Sequence, residues 1–69
     1  MRLENWFKDV EWNILWGCVY DDPDKRWPEG TRIHTSDIRG LHKMELKEGD
    51  IVTTLNSIYL LGKPLTLDE

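Results

Sequence analysis

The alternation of apolar and polar side chains is clearest between Trp12 and Tyr20. Trp12, Ile14, Trp16, Cys18 and Tyr20 fall on one side of a period-two pattern, and Asn13, Leu15, Gly17 and Val19 on the other. That pattern predicts a strand. Both sides carry apolar residues, which places the strand in the middle of a sheet or beneath the segment that precedes it. Gly17 marks a bend or a close backbone approach. Upstream, Leu3, Trp6, Phe7 and Val10 recur at i, i+3, i+4 and i+7, the spacing of one helical face. A helix of two turns is marginal in water, so residues 1–11 are expected as a short N-terminal helix or an irregular arm held by its aromatics.

Downstream, the segment from Asp21 to Thr31 combines Pro23, Pro28 and Gly30 with a cluster of charges, the chemistry of a long ordered loop. Pro28, Glu29 and Gly30 fit a tight turn with proline at its second position. Trp27, in the same loop, has to plug the core or stand in solvent. Residues 31–37 alternate again, with Arg32, His34 and Ser36 opposite Ile33, Thr35 and Asp37, and residues 38–46 extend that strand past a kink at Gly40. Residues 47–50 form a turn. Two further strands, 51–55 and 58–61, are joined by Asn56 and Ser57 in a tight hairpin, because asparagine tolerates the left-handed conformation. Residues 63–69 are expected as a loose tail. The elements predict a mainly β fold in one domain over residues 1–69, with its β core at 12–62. Its expected form is a small curled antiparallel sheet or an SH3-like barrel of four to five strands.

Size changes what must fill the core. A chain of 69 residues usually needs a disulfide, a metal or an unusually massive core to hold its fold. Cys18 is the single cysteine and cannot form an internal disulfide. The expected substitute is aromatic mass: Trp6, Trp12, Trp16, Trp27, Phe7, Tyr20 and Tyr59, each burying about 150–250 Å². Cys18 shares the face of Trp12, Trp16 and Tyr20 and is expected as a buried thiol. Its solitude points to a reducing compartment, the cytoplasm of a cell. The first ten residues mix charges with apolar side chains, so no export signal is expected. No apolar stretch approaches the roughly 20 residues of a membrane helix.

The net charge of −4 disfavours a polyanionic partner. His34, Ser36 and Asp37 are the residue types of a hydrolase triad. Neighbours along one strand do not converge on a substrate, however, so no catalytic site is expected. Asp21, Asp22, Asp24 and Glu29 could offer oxygens to a cation, but Lys25 and Arg26 intrude and the spacing of a calcium loop is missing. His34 and His42 lack companions at zinc-ligand spacing. No metal or cofactor is expected. Lys25, Arg26 and Arg32, extended by Arg39, His42 and Lys43, could form a basic strip on which Trp27 stacks a base, the alternative of a nucleic-acid-binding module. The leading expectation is a protein-interaction surface. Trp6, Phe7 and Trp27 fall outside the regular strands, where aromatics anchor interfaces, and Arg26 and Arg32 flank them. Core filling is the competing role of the same aromatics.

Several runs carry a resemblance: Trp16-Gly17-Cys18-Val19-Tyr20, Pro28-Glu29-Gly30-Thr31 leading into Ile33-His34-Thr35-Ser36, and Gly49-Asp50-Ile51-Val52-Thr53-Thr54. Asn56-Ser57, Tyr59, Leu61 and Gly62 complete the pattern. The segment from Trp12 to Gly62 resembles small uncharacterised proteins encoded by bacteriophages and prophages. The likeness lies in turns and core positions, so it implies a shared β fold and no catalytic or binding residues. It also implies a non-enzymatic accessory protein that occupies a host or phage protein, modulating a host factor; association as a homodimer is an expectation of the aromatic surface itself.

Overall fold

A computed structural model describes residues 1–66 of the chain. Five strands, β1 (Arg2–Asp9), β2 (Ile14–Tyr20), β3 (Thr31–His34), β4 (Ile51–Thr53) and β5 (Ile58–Leu61), form one sheet in the order β3-β2-β1-β5-β4. The first three strands make an antiparallel meander, and β4 and β5 an antiparallel hairpin. The two units join through β1 and β5, which run parallel, so the sheet is mixed. A parallel pair needs a crossover connection, and the chain between β3 and β4 supplies it. Because β3 and β4 remain as free edges, the sheet does not close into a barrel.

The segment 1–11 departs most from its sequence pattern. It is neither helix nor arm: β1 is the central strand of the sheet. The cause is a β-bulge. Glu4 pairs with Cys18 and Phe7 with Trp16, so Asn5 and Trp6 together oppose Gly17, with Asn5 in the left-handed region at φ 52°. One extra residue shifts the alternation by one. Leu3 and Trp6 therefore both point to the core at a spacing of three, the interval that imitates a helix. Phe7 is turned to the opposite face.

Along β2 the buried side is Leu15, Gly17 and Val19, while Trp16, Cys18 and Tyr20 lie on the other side, half-buried. The core is accordingly more aliphatic than aromatic. Leu3, Leu15, Val19, Leu41 and Leu61 are its most buried hydrophobic side chains; Trp6 and Tyr59 are the aromatics within it, with Trp27 packed against its margin. Cys18 is half-buried on the uncovered face rather than enclosed. Well-packed aliphatic side chains thus take the place assigned to aromatic mass.

The second layer over the core is loop. Residues 35–50 cross the sheet and contribute Thr35, Ile38 and Leu41 to the interior. They do not extend β3. Gly40 adopts φ 77° and starts a 3-10 turn at Leu41–Lys43, whose Leu41 and Met44 carbonyls accept from Lys8 Nζ at 3.4 and 2.6 Å. Thr35 ties the crossover down: its Oγ1 accepts the Leu15 amide at 3.0 Å, and its own amide donates to the Leu15 carbonyl at 2.9 Å. The molecule measures 32 × 30 × 20 Å. Its shortest dimension accommodates one sheet and one covering layer, given that packed layers lie about 10 Å apart. Among the described residues, no segment covers the opposite face of the sheet.

Two turns differ in detail from their expected form. Pro28 takes the first position, its carbonyl accepting the Thr31 amide at 3.2 Å. The β4–β5 turn closes on Thr54 and Ser57, with the Thr54 amide donating to the Ser57 carbonyl at 2.8 Å and Asn56 outside the left-handed region. The tail is held at its start: the Asn5 amide donates to the Lys63 carbonyl and the Leu65 amide to the Trp6 carbonyl, both at 2.8 Å, which extends the β5 side of β1 to Pro64. The rest of the predicted tail, residues 67–69, lies outside the described residues. No helix among the described residues is long and apolar enough to cross a membrane.

Candidate protein interface

The uncovered face follows from the same alternation that builds the core. Outward positions are Arg2, Glu4, Phe7 and Asp9 on β1, Trp16, Cys18 and Tyr20 on β2, and Arg32 and His34 on β3. Leu60, Ile58 and Ile51 continue it onto β5 and β4. Cross-strand register sorts these side chains into rows. Phe7, Trp16 and His34 form an aromatic row at one end, where Trp16 Nε1 donates to Asp9 Oδ2 at 3.2 Å and its ring meets His34 edge-on at 5.0 Å. Both contacts hold the indole in place.

A charged row separates the aromatic end from the aliphatic one. Arg2 Nε lies 2.9 Å from Glu4 Oε2, its Nη1 3.2 Å from Asp21 Oδ2, and its guanidinium stands 5.0 Å over the Tyr20 ring. Glu4 also accepts the Lys63 amide at 2.9 Å. Arg32, opposite Cys18, is exposed and makes no ion pair among the described residues. Beyond the aromatic row, the β1–β2 turn carries Val10 and Trp12, 53% and 68% exposed. An indole that far into water at a hairpin tip contributes little to folding.

The five residues singled out from sequence are not brought together. Trp6 is buried, with Nε1 donating to the Gly62 carbonyl at 2.8 Å, and is a core residue. Phe7 lies on the uncovered face. Trp27 is half-buried against the core on the covered side, with the Arg26 guanidinium 4.6 Å over its ring. Arg26 also pairs with Asp22, while Arg32 projects from the other side of the sheet. The strip of Lys25, Arg26, Arg32 and Trp27 therefore splits in two. Trp16, on the open face of β2, and Trp12, exposed in the turn before it, are the aromatics whose positions the pattern concealed. The strand β2 is apolar on both sides, and nothing in its alternation says which side faces the core. The small, closely packed row of Leu15, Gly17 and Val19 is the signal that marks the inner one.

Elsewhere, the polar residues considered for chemistry serve local structure. His34 Nδ1 lies 3.0 Å from the Thr35 carbonyl, and Ser36 Oγ donates to Thr54 Oγ1 at 3.3 Å. Glu29 Oε1 accepts the Asp21 amide at 3.0 Å. Asp22 organises the loop beneath Trp27, accepting the Asp24 amide at 3.1 Å and the Arg26 amide and Nε at 2.9 and 3.3 Å. Burial alone would raise its pKa. The two amides and the Arg26 side chain outweigh that effect and hold it below the ordinary 3.8. A carboxylate with a depressed folded-state pKa stabilises the fold above its unfolded value, and that contribution disappears as pH falls through the folded value. Asp22→Ala is therefore expected to lower the thermal midpoint at pH 7 and to flatten its fall below pH 4. Thermal melts followed by circular dichroism from neutral pH downward check this; an unchanged acid limb would assign the pH dependence to other carboxylates.

Comparison with protein-family models, curated proteins and solved structures found no match to this chain. The fold and site define a small single-sheet protein with one packed face and one open face.

Proposed function

We propose that the chain is a non-enzymatic protein-interaction module of phage or prophage origin, acting in the cytoplasm of a bacterial cell, whose docking surface is the aromatic end of the open face. The observation carrying this reading is the arrangement of Phe7, the hydrogen-bonded Trp16 and the exposed Trp12 at one end of an uncovered sheet. Aromatics held in one rotamer lose little entropy on binding, which is why Trp and Tyr dominate interface energetics. Arg32 borders the row, so the partner it fits is a host or phage protein presenting an apolar projection flanked by a carboxylate. The hairpin tip with Trp12 would close over one side of that projection. The resemblance to phage-encoded proteins supports the same assignment.

Trp12→Ala and Trp16→Ala are expected to weaken partner binding at least tenfold each, about 1.4 kcal/mol or more, whereas Trp27→Ala and Arg26→Ala leave it within a factor of a few. The measurement is affinity capture from bacterial lysate with the wild-type chain, followed by titration of the recovered protein against each variant. Loss of binding with Arg26→Ala and retention with Trp12→Ala would overturn the assignment. A parallel titration with labelled single-stranded and duplex oligonucleotides at low salt, where phosphate contacts are strongest, separates a nucleic-acid partner from a protein one.

A further inference from the structure

The edge strand β4 differs from the rest of the surface in carrying no charge. Residues 51–62 contain no Asp, Glu, Lys, Arg or His, in a chain where 32% of residues are Asp, Glu, Lys or Arg. Yet Ile51, Leu55, Ile58 and Leu60 of this hairpin are 69%, 89%, 61% and 44% exposed. Exposed edge strands are ordinarily protected by charges, proline, bulges or a covering segment, because their free amides and carbonyls pair readily with another chain. Within Ile51–Thr53 there is no charge, proline or bulge, and among the described residues no covering segment; its length of three residues is the protection it does have. The opposite edge, β3, is guarded by the exposed Arg32 and His34.

The hydrogen-bond pattern shows which backbone groups are free. The Leu61 amide donates to the Asp50 carbonyl and the Thr54 amide to the Ser57 carbonyl, both at 2.8 Å. In an antiparallel pair, residues alternate between facing the neighbouring strand and facing away. Asp50, Val52 and Thr54 therefore point their backbone groups toward β5, and Ile51 and Thr53 point theirs outward. Those outward groups accept and donate no hydrogen bond among the described residues.

We propose that β4 is a homodimer interface, where two copies of the chain pair antiparallel about a two-fold axis at Val52 and join their sheets into one of ten strands. In this register Ile51 of one copy faces Thr53 of the other, and each such pair exchanges two backbone hydrogen bonds. The Val52 side chains meet on the packed face, while Ile51 and Thr53 meet on the open one. A two-fold contact sets Val52, on the axis, against its own copy and brings Ile51 and Thr53 within two positions of theirs, so a like charge introduced at any of the three would meet its own copy nearby. An uncharged strand is self-complementary for that reason, and a second copy is favoured over a charged peptide partner. The interface stands apart from the aromatic end of the open face and does not depend on it.

Sedimentation velocity from about 1 μM to about 1 mM, the range in which weak dimers dissociate, is expected to show a monomer–dimer equilibrium. Hydrogen exchange is expected to slow at the Ile51 and Thr53 amides as concentration rises. Thr53→Lys, at an exposed position, is expected to raise the dimer dissociation constant at least tenfold while leaving the circular dichroism spectrum and thermal midpoint of the monomer in place. Trp12→Ala is expected to dimerise as the wild type does, which separates this interface from the docking surface. A monomer across the whole range would overturn the proposal. So would a dimer that survives Thr53→Lys with the Ile51 and Thr53 amides exchanging freely, which would place the contact on the open face instead.

Discussion

Gly17→Ala is expected to destabilise the fold by about 1–3 kcal/mol, the range for forcing a methyl group into a filled core. A β-carbon at this position would sit 2.5 Å from Leu3 Cγ, 2.9 Å from Leu3 Cδ1 and 3.0 Å from the Glu4 carbonyl oxygen. None of these neighbours can yield cheaply. Leu3 has no exposed surface, and the Glu4 carbonyl belongs to the central strand just before the bulge. Alanine's better strand propensity than glycine's recovers only a fraction of this loss. A chain of 69 residues has a total stability of about 3–10 kcal/mol, so the change removes a large share of it. Urea denaturation should show a lower midpoint with an unchanged slope, the sign that stability rather than unfolded-state compactness has moved. The steric assignment has its own check. In a Leu3→Ala background the added methyl group occupies vacated space, so the double-mutant cycle should show a favourable coupling of at least 0.5 kcal/mol. Additive losses would mean that the close approach of Leu3 is not what Gly17 is there for.

Leu41→Ala should have the largest effect of any single truncation outside the sheet, about 2–5 kcal/mol. Leu41 is fully buried although it belongs to a three-residue 3-10 turn in the crossover. The sheet has one covering layer, and that layer is mostly irregular chain. Its hold on β1 and β2 rests on a few inward side chains and on polar ties such as Lys8 to the turn carbonyls and Thr35 to Leu15. Removing Leu41 leaves a cavity that the sheet below cannot close, because its Leu3, Leu15 and Leu61 are held by strand pairing. Native-state hydrogen exchange provides the readout. Protection of the Ile38 amide, which donates to the Asn13 carbonyl, should fall together with that of the strand amides. If Ile38 loses protection while the strands keep theirs, the crossover opens locally and is not part of the cooperative core.

Much of the β architecture was legible from the pattern of residues. The strand ending at Tyr20, the loop of prolines and charges after it, the strand beginning at Thr31 and the C-terminal hairpin all stand where local chemistry puts them, within a few residues. Alternation and turn residues act over short distances, so neighbours in sequence suffice to specify them. The errors share a different cause. Leu3, Trp6, Phe7 and Val10 read as a helical stripe because one bulge residue, Asn5, converts a spacing of two into three. That bulge is stabilised by β2 and by the segment after β5, both remote in sequence. Residues 38–46 carry strand-like residues but lack a neighbouring strand to pair with, and Gly40 turns them across the core instead.

The residues of the open face were harder to read for the same reason. Ile14, Trp16 and Tyr20 form the most hydrophobic side of β2, continued by Trp12 in the turn before it, and local hydrophobicity assigns that side to the core. Burial is decided by what the rest of the chain brings against a face, and the crossover comes down on the side of Leu15 and Val19. By itself the sequence determined that the chain is small, mainly β and punctuated by ordered turns, because periodicity and turn chemistry are local properties. Only the tertiary structure decided that β1 lies at the centre, that β5 joins it in parallel and that the aromatics of β2 face outward, because each depends on contacts between distant segments.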